Sequence, residues 1–250
     1  MDYHDISVSR DGGVAEVTLC RPKALNALSM RLRDELEDFL RGVEGDPLVS
    51  LVLITGGTRF FSAGWDLKEA AQTHLSSFHH RILEFHETIY ATRKFVITAV
   101  SGIALAGGFD LALAGDLILA APSASFGHVE VNFGINPLVF PLAKRVGLGR
   151  AVELCATGRV IGADEAKALG VVNEILPQDD FLEGVGKKAR EVARMGEKVL
   201  SGIKEASISA LPHGIRESLK SEFAITEQLL SGDEIYERLV EYLKSVGILK

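Results

Sequence analysis

Two loops of small residues stand out in this sequence: Phe61-Ser62-Ala63-Gly64-Trp65-Asp66-Leu67 and Gly102-Ile103-Ala104-Leu105-Ala106-Gly107-Gly108-Phe109-Asp110. Each loop follows a strand-like run, and together the loops can bring two backbone N–H groups to one point. Such a pair of donors stabilises an oxygen that becomes negative during a reaction. Glycine and alanine suit this task because a bare backbone lets a substrate approach closely. The two loops therefore predict an oxyanion hole, although each loop taken alone is also typical of an ordinary tight turn.

The spacing of apolar residues around these loops predicts an α/β fold. Residues 5–9 and 14–19 flank Asp11-Gly12-Gly13, a pattern typical of a β-hairpin. Ser29 is expected to cap a helix whose apolar face carries Leu32 and Leu36. Further strands are predicted at 49–54, 96–101, 117–121 and 171–176, and further helices at 73–93 and 107–114. This order of strand, strand and helix predicts stacked ββα units without a visible repeat of the sequence.

The composition changes to charged, helix-forming residues from Phe181 onward. Amphipathic helices are predicted to finish the chain, with a break between helices at 211–214. Their apolar faces comprise Ile215, Leu219 and Phe223 in one helix and Ile235, Leu239, Leu243 and Val246 in the last. We interpret residues 1–180 as a core that contains the site and residues 181–250 as a C-terminal helical region. The apolar faces of this region are expected to pack on the core or on a neighbouring subunit.

Length and charge exclude several classes of protein. A chain of 250 residues with 47% hydrophobic content can bury one full core. A net charge of −7 and the lack of a Lys/Arg run argue against nucleic acid as a ligand. Cys20 and Cys155 are too few for a disulfide framework, so a cytoplasmic location is expected. Residues 1–5 lack the features of a signal peptide, and the apolar stretch at 96–109 is short and rich in Gly and Ala, so no membrane span is expected.

The histidines do not predict a metal site. Four of them lie on the predicted helix at 73–93, namely His74, His79, His80 and His86. Their spacing lacks the HExxH pattern, and we expect them on a solvated helix face. His128 is expected to share a strand face with Glu130, where packing is its expected role and tuning of the carboxylate is the alternative. The sequence has no GxSxG, P-loop or GxGxxG motif, so a serine hydrolase or a nucleotide-dependent enzyme has no support.

Two further segments complete a family pattern. Arg21-Pro22-Lys23-Ala24-Leu25-Asn26-Ala27-Leu28 precedes the two loops, and Phe126-Gly127-His128-Val129-Glu130 follows them. In order and spacing, the chain from its first strand to about Leu176 resembles the crotonase superfamily, which comprises the enoyl-CoA hydratases and isomerases. The resemblance implies a crotonase-like spiral of stacked ββα units with a C-terminal helical region. It also implies an acyl-CoA thioester as substrate, no cofactor apart from the coenzyme A of that substrate, and a homotrimer or a dimer of trimers.

The same resemblance implies roles for backbone and binding residues. The oxyanion hole would be formed by the backbone N–H groups of Trp65 and Gly107, with the unusual Trp65 side chain beside the thioester or acyl chain. The segments that contact coenzyme A in relatives match Lys23, Ala24, Leu25, Ala63, Asp66 and Leu67. Tyr242 and Lys244 are the nearest candidates for contact with the 3′-phosphate of a neighbouring subunit's coenzyme, although a plain amphipathic helix explains them equally well.

Asp110 and Glu130 match the paired acids of the family's hydratases, where both are usually glutamate. Such a pair suits hydration of a conjugated double bond, because one carboxylate takes a proton from water while the other supplies one to the α-carbon. The alternative for Asp110 is a helix cap, and the alternative for Glu130 is an ion pair with a surface cation.

Two departures from the hydratase pattern keep other activities open. Dienoyl-CoA isomerases of the family also carry Asp and Glu at these positions, but they add a third acid where this chain has Leu138. Residues 134–138 replace a longer glycine-rich loop that is common in hydratases. We predict an enoyl-CoA hydratase, with a double-bond isomerase or a non-catalytic acyl-CoA-binding protein as alternatives.

Overall fold

A computed structural model of the protein describes residues 3–72, 75–211, 214–230, 233–245 and 247, and within them the side chains of 75–77, 229, 230, 233–236 and 239 lie outside the description. Nine strands form two sheets. The large sheet has the order β1 (Ile6–Asp11), β2 (Val14–Leu19), β3 (Leu51–Thr55), β4 (Phe95–Val100), β6 (Leu117–Ala120) and β9 (Glu174–Ile175). The small sheet has the order β5 (Ile103–Leu105), β7 (Ser125–Gly127) and β8 (Ile161–Gly162).

Helices cover both sheets and occupy most of the C-terminal part. The α-helices are α1 (Met30–Glu44), α2 (Leu67–Ala70), α3 (Leu75–Ala91), α4 (Gly107–Leu113), α5 (Val139–Val146), α6 (Leu148–Thr157), α7 (Ala163–Leu169), α8 (Phe181–Ala193), α9 (Glu197–Ser209), α10 (Gly214–Leu230) and α11 (Asp233–Ser245). Two 3₁₀ helices lie at Pro22–Ala24 and Val129–Phe133. None of the described helices is long and apolar enough to cross a lipid bilayer.

The opening hairpin and the central strands form as the sequence predicts. β1 and β2 are antiparallel, and Gly12 and Gly13 turn the chain with φ of 55° and 84°. Positive φ at both positions is the requirement of a type I′ turn. β3 and β4 lie in the parallel part of the sheet, and every residue in them is buried because helices cover both faces. Ser29 caps α1, since its Oγ accepts a hydrogen bond from the Leu32 N–H at 3.3 Å.

The predicted ββα rhythm is confirmed around β4. The chain leaves the large sheet at Val100, forms β5 in the small sheet, turns into α4 and returns to the large sheet as β6. The next turn of the spiral places β7 beside β5. Most predicted boundaries agree with the structure within a few residues. The strand expected at 171–176 is limited to Glu174–Ile175, and the first two residues of the helix expected at 73–93 lie outside the described residues.

The large sheet has two apolar faces. One face packs against α1 and α3 through residues such as Leu36 and Phe85. The other face is covered by α8, whose Phe181 and Val185 lie in one buried cluster with Leu53 of β3. Consequently α8 covers the sheet of its own chain. The assignment of residues 181–250 to subunit contacts stays a prediction.

The predicted apolar face of α10 is buried, comprising Ile215, Leu219 and Phe223. Leu243 of α11 is also buried. The other three members predicted for the last helix, at positions 235, 239 and 246, lie outside the described side chains. α10 packs on α3 and α5, and α11 packs on the 3₁₀ helix at Val129–Phe133. These two helices therefore approach the ends of the loops that the sequence singles out.

A matched pair of truncations tests the packing of α8. Phe181 is 1% exposed and Leu182 is 40% exposed. We expect Phe181→Ala to lower the free energy of unfolding by about 3–5 kcal/mol, because it empties a buried site. Leu182→Ala should change it by about 0.5 kcal/mol. Urea unfolding at one fixed protein concentration measures both. Equal effects of the two variants would contradict the placement of α8 on the sheet.

Candidate active site

Backbone hydrogen bonds hold the two small-residue loops against each other. The Ser62 N–H donates to the Ile103 carbonyl, and the Leu105 N–H donates to the Ser62 carbonyl, both at 3.0 Å. The segment that begins at Arg21 joins them, since the Ala63 N–H donates to the Leu25 carbonyl at 3.0 Å and the Leu28 N–H to the Gly64 carbonyl at 2.7 Å. Three distant parts of the sequence therefore form one rigid backbone cluster.

Close contact requires special backbone at two positions of this cluster. Gly64 has a φ of 96°, and a Cβ atom there would lie 2.7 Å from the Leu105 carbonyl oxygen and 3.2 Å from the Gly107 nitrogen. Any larger residue at position 64 would push the loops apart. Ala106 has a φ of 49°, which is uncommon for alanine. Strained backbone of this kind is found at active sites, where it presets the direction of the next peptide group.

The predicted oxyanion donors follow directly after these two positions. Trp65 comes after Gly64, and Gly107 comes after Ala106 as the first residue of α4. Within the part of the chain that the structure describes, neither N–H group donates a hydrogen bond. The first N–H groups of a helix have no partner inside the helix, which explains the free donor at Gly107. Both donors remain available to a ligand, and their role as the oxyanion hole stays a prediction.

The two predicted acids lie together at the wall of one cavity. Asp110 is the fourth residue of α4, and Glu130 is the second residue of the 3₁₀ helix at Val129–Phe133. They are 3% and 4% exposed, and both line the cavity. The N-cap of α4 is Ala106, and it has no side-chain capping bond, so Asp110 is not a helix cap. Glu130 is buried beside His128 and pairs with no surface cation.

His128 contacts both acids, which corrects the expectation of a packing role. Its Nδ1 lies 3.2 Å from Oε1 of Glu130 and 3.9 Å from Oδ1 of Asp110. The expectation of a shared strand face is also wrong, because β7 ends at Gly127 and Glu130 belongs to the 3₁₀ helix. Burial raises the pKa of Glu130, and His128 opposes this only in part. Burial lowers the pKa of His128, but the neighbouring carboxylates outweigh it and raise that pKa above its usual value.

His86 is buried, whereas the sequence predicts it on a solvated helix face. It is 1% exposed, and its Nε2 lies 3.4 Å from Oδ2 of Asp110. His80 is exposed as expected, His79 is half-buried at the cavity wall, and His74 lies outside the described residues. A sequence signal for His86 existed, because it follows the buried Ile82 by four residues on the same helix face.

Four polar atoms of this cluster are buried without a hydrogen-bond partner among the described residues. They are Nε2 of His86, Oδ1 of Asp110, Nε2 of His128 and Oε2 of Glu130. Buried polar atoms without partners are rare because each one costs free energy. Their concentration at one cavity points to a polar ligand that completes the site.

The same atoms bear on metal binding. Asp110, His128 and Glu130 each offer one ligand atom, and these atoms lie within 4.8 Å of one another. Nδ1 of His128 and Oε1 of Glu130 lie at a hydrogen-bond distance of 3.2 Å, so these two atoms are already engaged with each other. We therefore assign no metal ion to this cluster.

The rest of the cavity wall is largely apolar. Trp65 lies beside the rings of Phe85 and His86, at centroid distances of 6.1 and 5.4 Å. The guanidinium carbon of Arg33 lies 5.7 Å from the Trp65 ring centroid. The remaining apolar walls include Phe78, Ile82, Phe133, Ile135, Leu138, Phe223 and Tyr242. Leu138, at the position of a third acid in dienoyl-CoA isomerases, thus presents an apolar side chain to the cavity.

The six predicted coenzyme A residues differ in their relation to this cavity. Ala63 and Leu67 line the cavity. Lys23 and Ala24 belong to the 3₁₀ helix at Pro22–Ala24, and the exposed Leu25 follows it. Asp66 caps α2, and its Oδ2 forms an ion pair with Nη2 of Arg21 at 2.9 Å. The carboxylate of Asp66 therefore has structural contacts, and coenzyme A binding by these six residues stays a prediction.

Tyr242 lies at the cavity of its own chain. Its ring stacks on Phe133 at a centroid distance of 4.5 Å. The expectation that Tyr242 and Lys244 contact a neighbouring subunit's coenzyme stays a prediction.

Comparison with known proteins agrees with the geometry. The sequence matches the enoyl-CoA hydratase/isomerase family over residues 9–245. A probable enoyl-CoA hydratase of Mycobacterium tuberculosis is 32% identical over 248 residues, which cover 98% of this chain and 96% of that protein. Carnitinyl-CoA dehydratase of Escherichia coli is 36% identical over 206 residues, which cover 80% of this chain and 78% of that protein.

Among solved structures, an enoyl-CoA hydratase/isomerase from Xanthobacter autotrophicus Py2 superposes with a TM-score of 0.88 at 27% sequence identity. The match covers 99% of this chain and 95% of that chain. The crotonase fold predicted from the sequence is confirmed, and the chain belongs to the enoyl-CoA hydratase/isomerase family.

Proposed function

We propose that this protein is an enoyl-CoA hydratase that adds water across the 2,3 double bond of an acyl-CoA thioester. The observation that carries the proposal is the pair of buried carboxylates, Asp110 and Glu130, at one cavity next to two backbone N–H groups without partners. Names of relatives support a reaction that adds or removes water, because they include a probable hydratase and a dehydratase. Coenzyme A is part of the substrate, and no separate cofactor takes part.

The reaction follows from the placement of these groups. The thioester oxygen accepts hydrogen bonds from the N–H groups of Trp65 and Gly107, which stabilise the negative charge of the enolate. One carboxylate takes a proton from water as the water oxygen bonds to the β-carbon. The other carboxylate gives a proton to the α-carbon. The product gains one water molecule. One acid gains a proton and the other loses one, so the total number of protons on the two acids is unchanged.

The apolar lining supports an acyl chain as the group inside the cavity. Phe78, Ile82 and Phe223 come from α3 and α10 and line the cavity together with Trp65. Burial of such a chain is favourable at about 25 cal/mol for each Å² of apolar surface. The six predicted coenzyme A residues would then hold the polar end of the substrate at the cavity mouth.

Two other functions have weaker support. An isomerase that works through one principal base is compatible with Asp110 and Glu130, but the third acid of the dienoyl-CoA isomerases is absent, since Leu138 is buried and apolar. A non-catalytic acyl-CoA-binding protein would have no use for two buried carboxylates. Their burial costs free energy, which selection for binding alone would not maintain.

Substitution of each acid separates these functions. We expect Asp110→Asn and Glu130→Gln each to lower kcat for hydration by roughly 10²-fold or more, the usual scale for a positioned acid or base. The double variant should lose far less than the product of the two effects, because the pair acts as a unit. Conversion of an enoyl-CoA in H₂¹⁸O, followed by mass spectrometry, counts the water gained. A product of unchanged mass would identify an isomerase, and no conversion of any enoyl- or dienoyl-CoA would favour the binding protein.

Replacement of one backbone atom tests the oxyanion hole. A Cβ at Gly107 would lie 2.3 Å from the Trp65 ring, so a side chain there perturbs packing as well as the donor. An ester bond before residue 65, made by incorporating the hydroxy acid analogue of tryptophan, deletes only the N–H group. It should lower kcat by about 10²–10³-fold. The matched control Trp65→Phe keeps the N–H group and should lower kcat by less than about 10-fold, a small part of the effect of one lost donor. Near-normal turnover of the ester would place the donor elsewhere.

We further propose a homotrimer or a dimer of trimers, in which residues 181–250 contribute to subunit contacts. Exposed apolar side chains support an association surface, since Val199 and Ile203 lie four residues apart on α9 and each is 55% exposed. Leu148 of α6 adds a side chain that is 68% exposed. Light scattering should give three or six times the 27.0 kDa mass of the chain. A monomer at micromolar concentration would reject this assembly.

We place the protein in the cytoplasm. Both cysteines support this location because they are free thiols, with Cys20 exposed and Cys155 buried. Burial raises the pKa of the Cys155 thiol to about 12, so it is unreactive at neutral pH. Hydration of 2-enoyl-CoA thioesters is a step of fatty-acid β-oxidation, to which we assign this protein.

A further inference from the structure

We propose that His86 is a positioning residue that shares one proton with Asp110, so that the imidazole and the short carboxylate act as a single base. The proposal deepens the hydration reaction and rests on it. His86 comes from α3, a part of the chain outside the two loops and the acid pair. It acts through Asp110, and Asp110 is the group that exchanges a proton with water.

The proton on one ring nitrogen is fixed by the backbone. Nδ1 of His86 lies 2.8 Å from the carbonyl oxygen of Ile82. A carbonyl oxygen only accepts hydrogen bonds, so Nδ1 carries the proton in this contact. In a neutral ring, Nε2 would then hold a lone pair. That lone pair would face Oδ2 of Asp110 across 3.4 Å, and both atoms would be acceptors.

One added proton between Nε2 and Oδ2 removes this conflict. The ring then donates to Ile82 through Nδ1, and the protonated Nε2 faces Oδ2 of Asp110 as an ion pair at 3.4 Å. Both side chains are almost fully buried, at 1% and 4% exposure, so the conflict between the two acceptors is only weakly screened by solvent. Within the described residues, Asp110 is the only carboxylate that lies within 4 Å of the His86 ring. Among the described residues, Asp110 is therefore the acidic partner of the His86 imidazole.

Other titratable groups surround the pair from each element that packs on it. From α3, Tyr90 stacks on His86 at a ring distance of 6.0 Å, and His79 lies two turns before His86 on the same helix face. His128 and Glu130 lie beyond Asp110. Glu222 on α10 influences both His128 and Asp110 electrostatically, although backbone N–H groups of Val139 and Phe140 hold its carboxylate at 2.7 Å.

These neighbours make neutrality of the cluster important. Two carboxylates and two neutral imidazoles would place two negative charges in one buried volume, which is unfavourable. One shared proton for each pair gives zero net charge, with His86 paired to Asp110 and His128 paired to Glu130. The structure shows this division of partners, because the shortest acid contact of each ring is with a different carboxylate.

The shared proton assigns roles in hydration. Burial raises the pKa of Glu130, which suits a proton donor. The imidazolium form of His86 holds Asp110 as a carboxylate, and the free Oδ1 of Asp110 takes a proton from water. The water oxygen bonds to the β-carbon, and Glu130 gives its proton to the α-carbon. Transfer of one proton from Asp110 to Glu130 after product release restores the site.

The His86→Gln variant tests the base. The amide of glutamine can still donate to Asp110, but it carries no positive charge. We expect kcat to fall about 10-fold or more, within the scale of acid–base catalysis, while KM changes little. Without the positive charge beside Asp110, the acidic limb of the kcat profile should move to higher pH.

A matched control is present on the same helix. His80 lies 3.5 Å from Glu84 but is exposed, so His80→Gln removes a similar contact outside the cavity. His80→Gln should keep the wild-type kcat and pH profile. A folded His86→Gln variant with the wild-type profile would overturn the proposal. A lower kcat with an unmoved acidic limb would also overturn it, because packing alone would then explain the loss.

A second measurement does not depend on activity. Nitrogen NMR of protein labelled with ¹⁵N-histidine distinguishes protonated from unprotonated ring nitrogens. We expect both nitrogens of His86 to be protonated at neutral pH, and Nε2 to lose its proton in Asp110→Asn. An unprotonated Nε2 in the wild-type protein would overturn the shared proton. If the NMR result is as expected but no enoyl-CoA is hydrated, the proposed function fails and the His86–Asp110 pair stands.

Discussion

The active site depends on the contact between Gly64 and the turn that leads into Gly107. The missing Cβ of Gly64 leaves room for the Leu105 carbonyl and the Gly107 nitrogen, which would lie 2.7 and 3.2 Å from such an atom. This contact places Trp65, the residue after Gly64, close to Gly107. It also fixes the start of α4, and with it the position of Asp110 one turn later. One close approach of two backbones therefore positions both the proposed binding site for a thioester oxygen and the proposed proton acceptor Asp110.

The acid pair shows how the surroundings can replace a missing methylene group. Related hydratases usually have glutamate at both acid positions, and the shorter Asp110 leaves space on the side of α3. His86 occupies that side, at 3.4 Å from the carboxylate. His128 lies on the other side and contacts Glu130 at 3.2 Å. A glutamate at position 110 would push its carboxylate toward one of these rings. Asp110 and His86 therefore fit each other sterically, although Asp110 considered alone departs from the hydratase pattern.

The sequence predicts features that short-range chemistry determines. The hairpin turn at Gly12 and Gly13, the cap at Ser29 and the apolar strands β3 and β4 follow from local residue types, and the structure agrees. The sequence does not predict the small sheet, because three-residue strands such as β5 are too short to show a period. The burial of His86 was missed for a different reason. It depends on Phe223 and Trp65, whose rings lie 5.5 and 5.4 Å from it but come from distant segments.

The residues proposed for proton chemistry and the apolar residues that line the cavity come largely from different parts of the chain. The predicted oxyanion donors and the acids come from residues 65–130, where backbone hydrogen bonds and buried contacts allow little movement. The apolar walls come partly from α3, α10 and α11 and partly from residues 133–138. Side-chain packing tolerates substitutions of similar volume, whereas the backbone cluster at Gly64 tolerates none. Changes in the helices can therefore alter the shape of the cavity while the proton chemistry is kept. Asp110 and His86 link the two parts, because the carboxylate lies on the rigid core and its imidazole partner lies on α3.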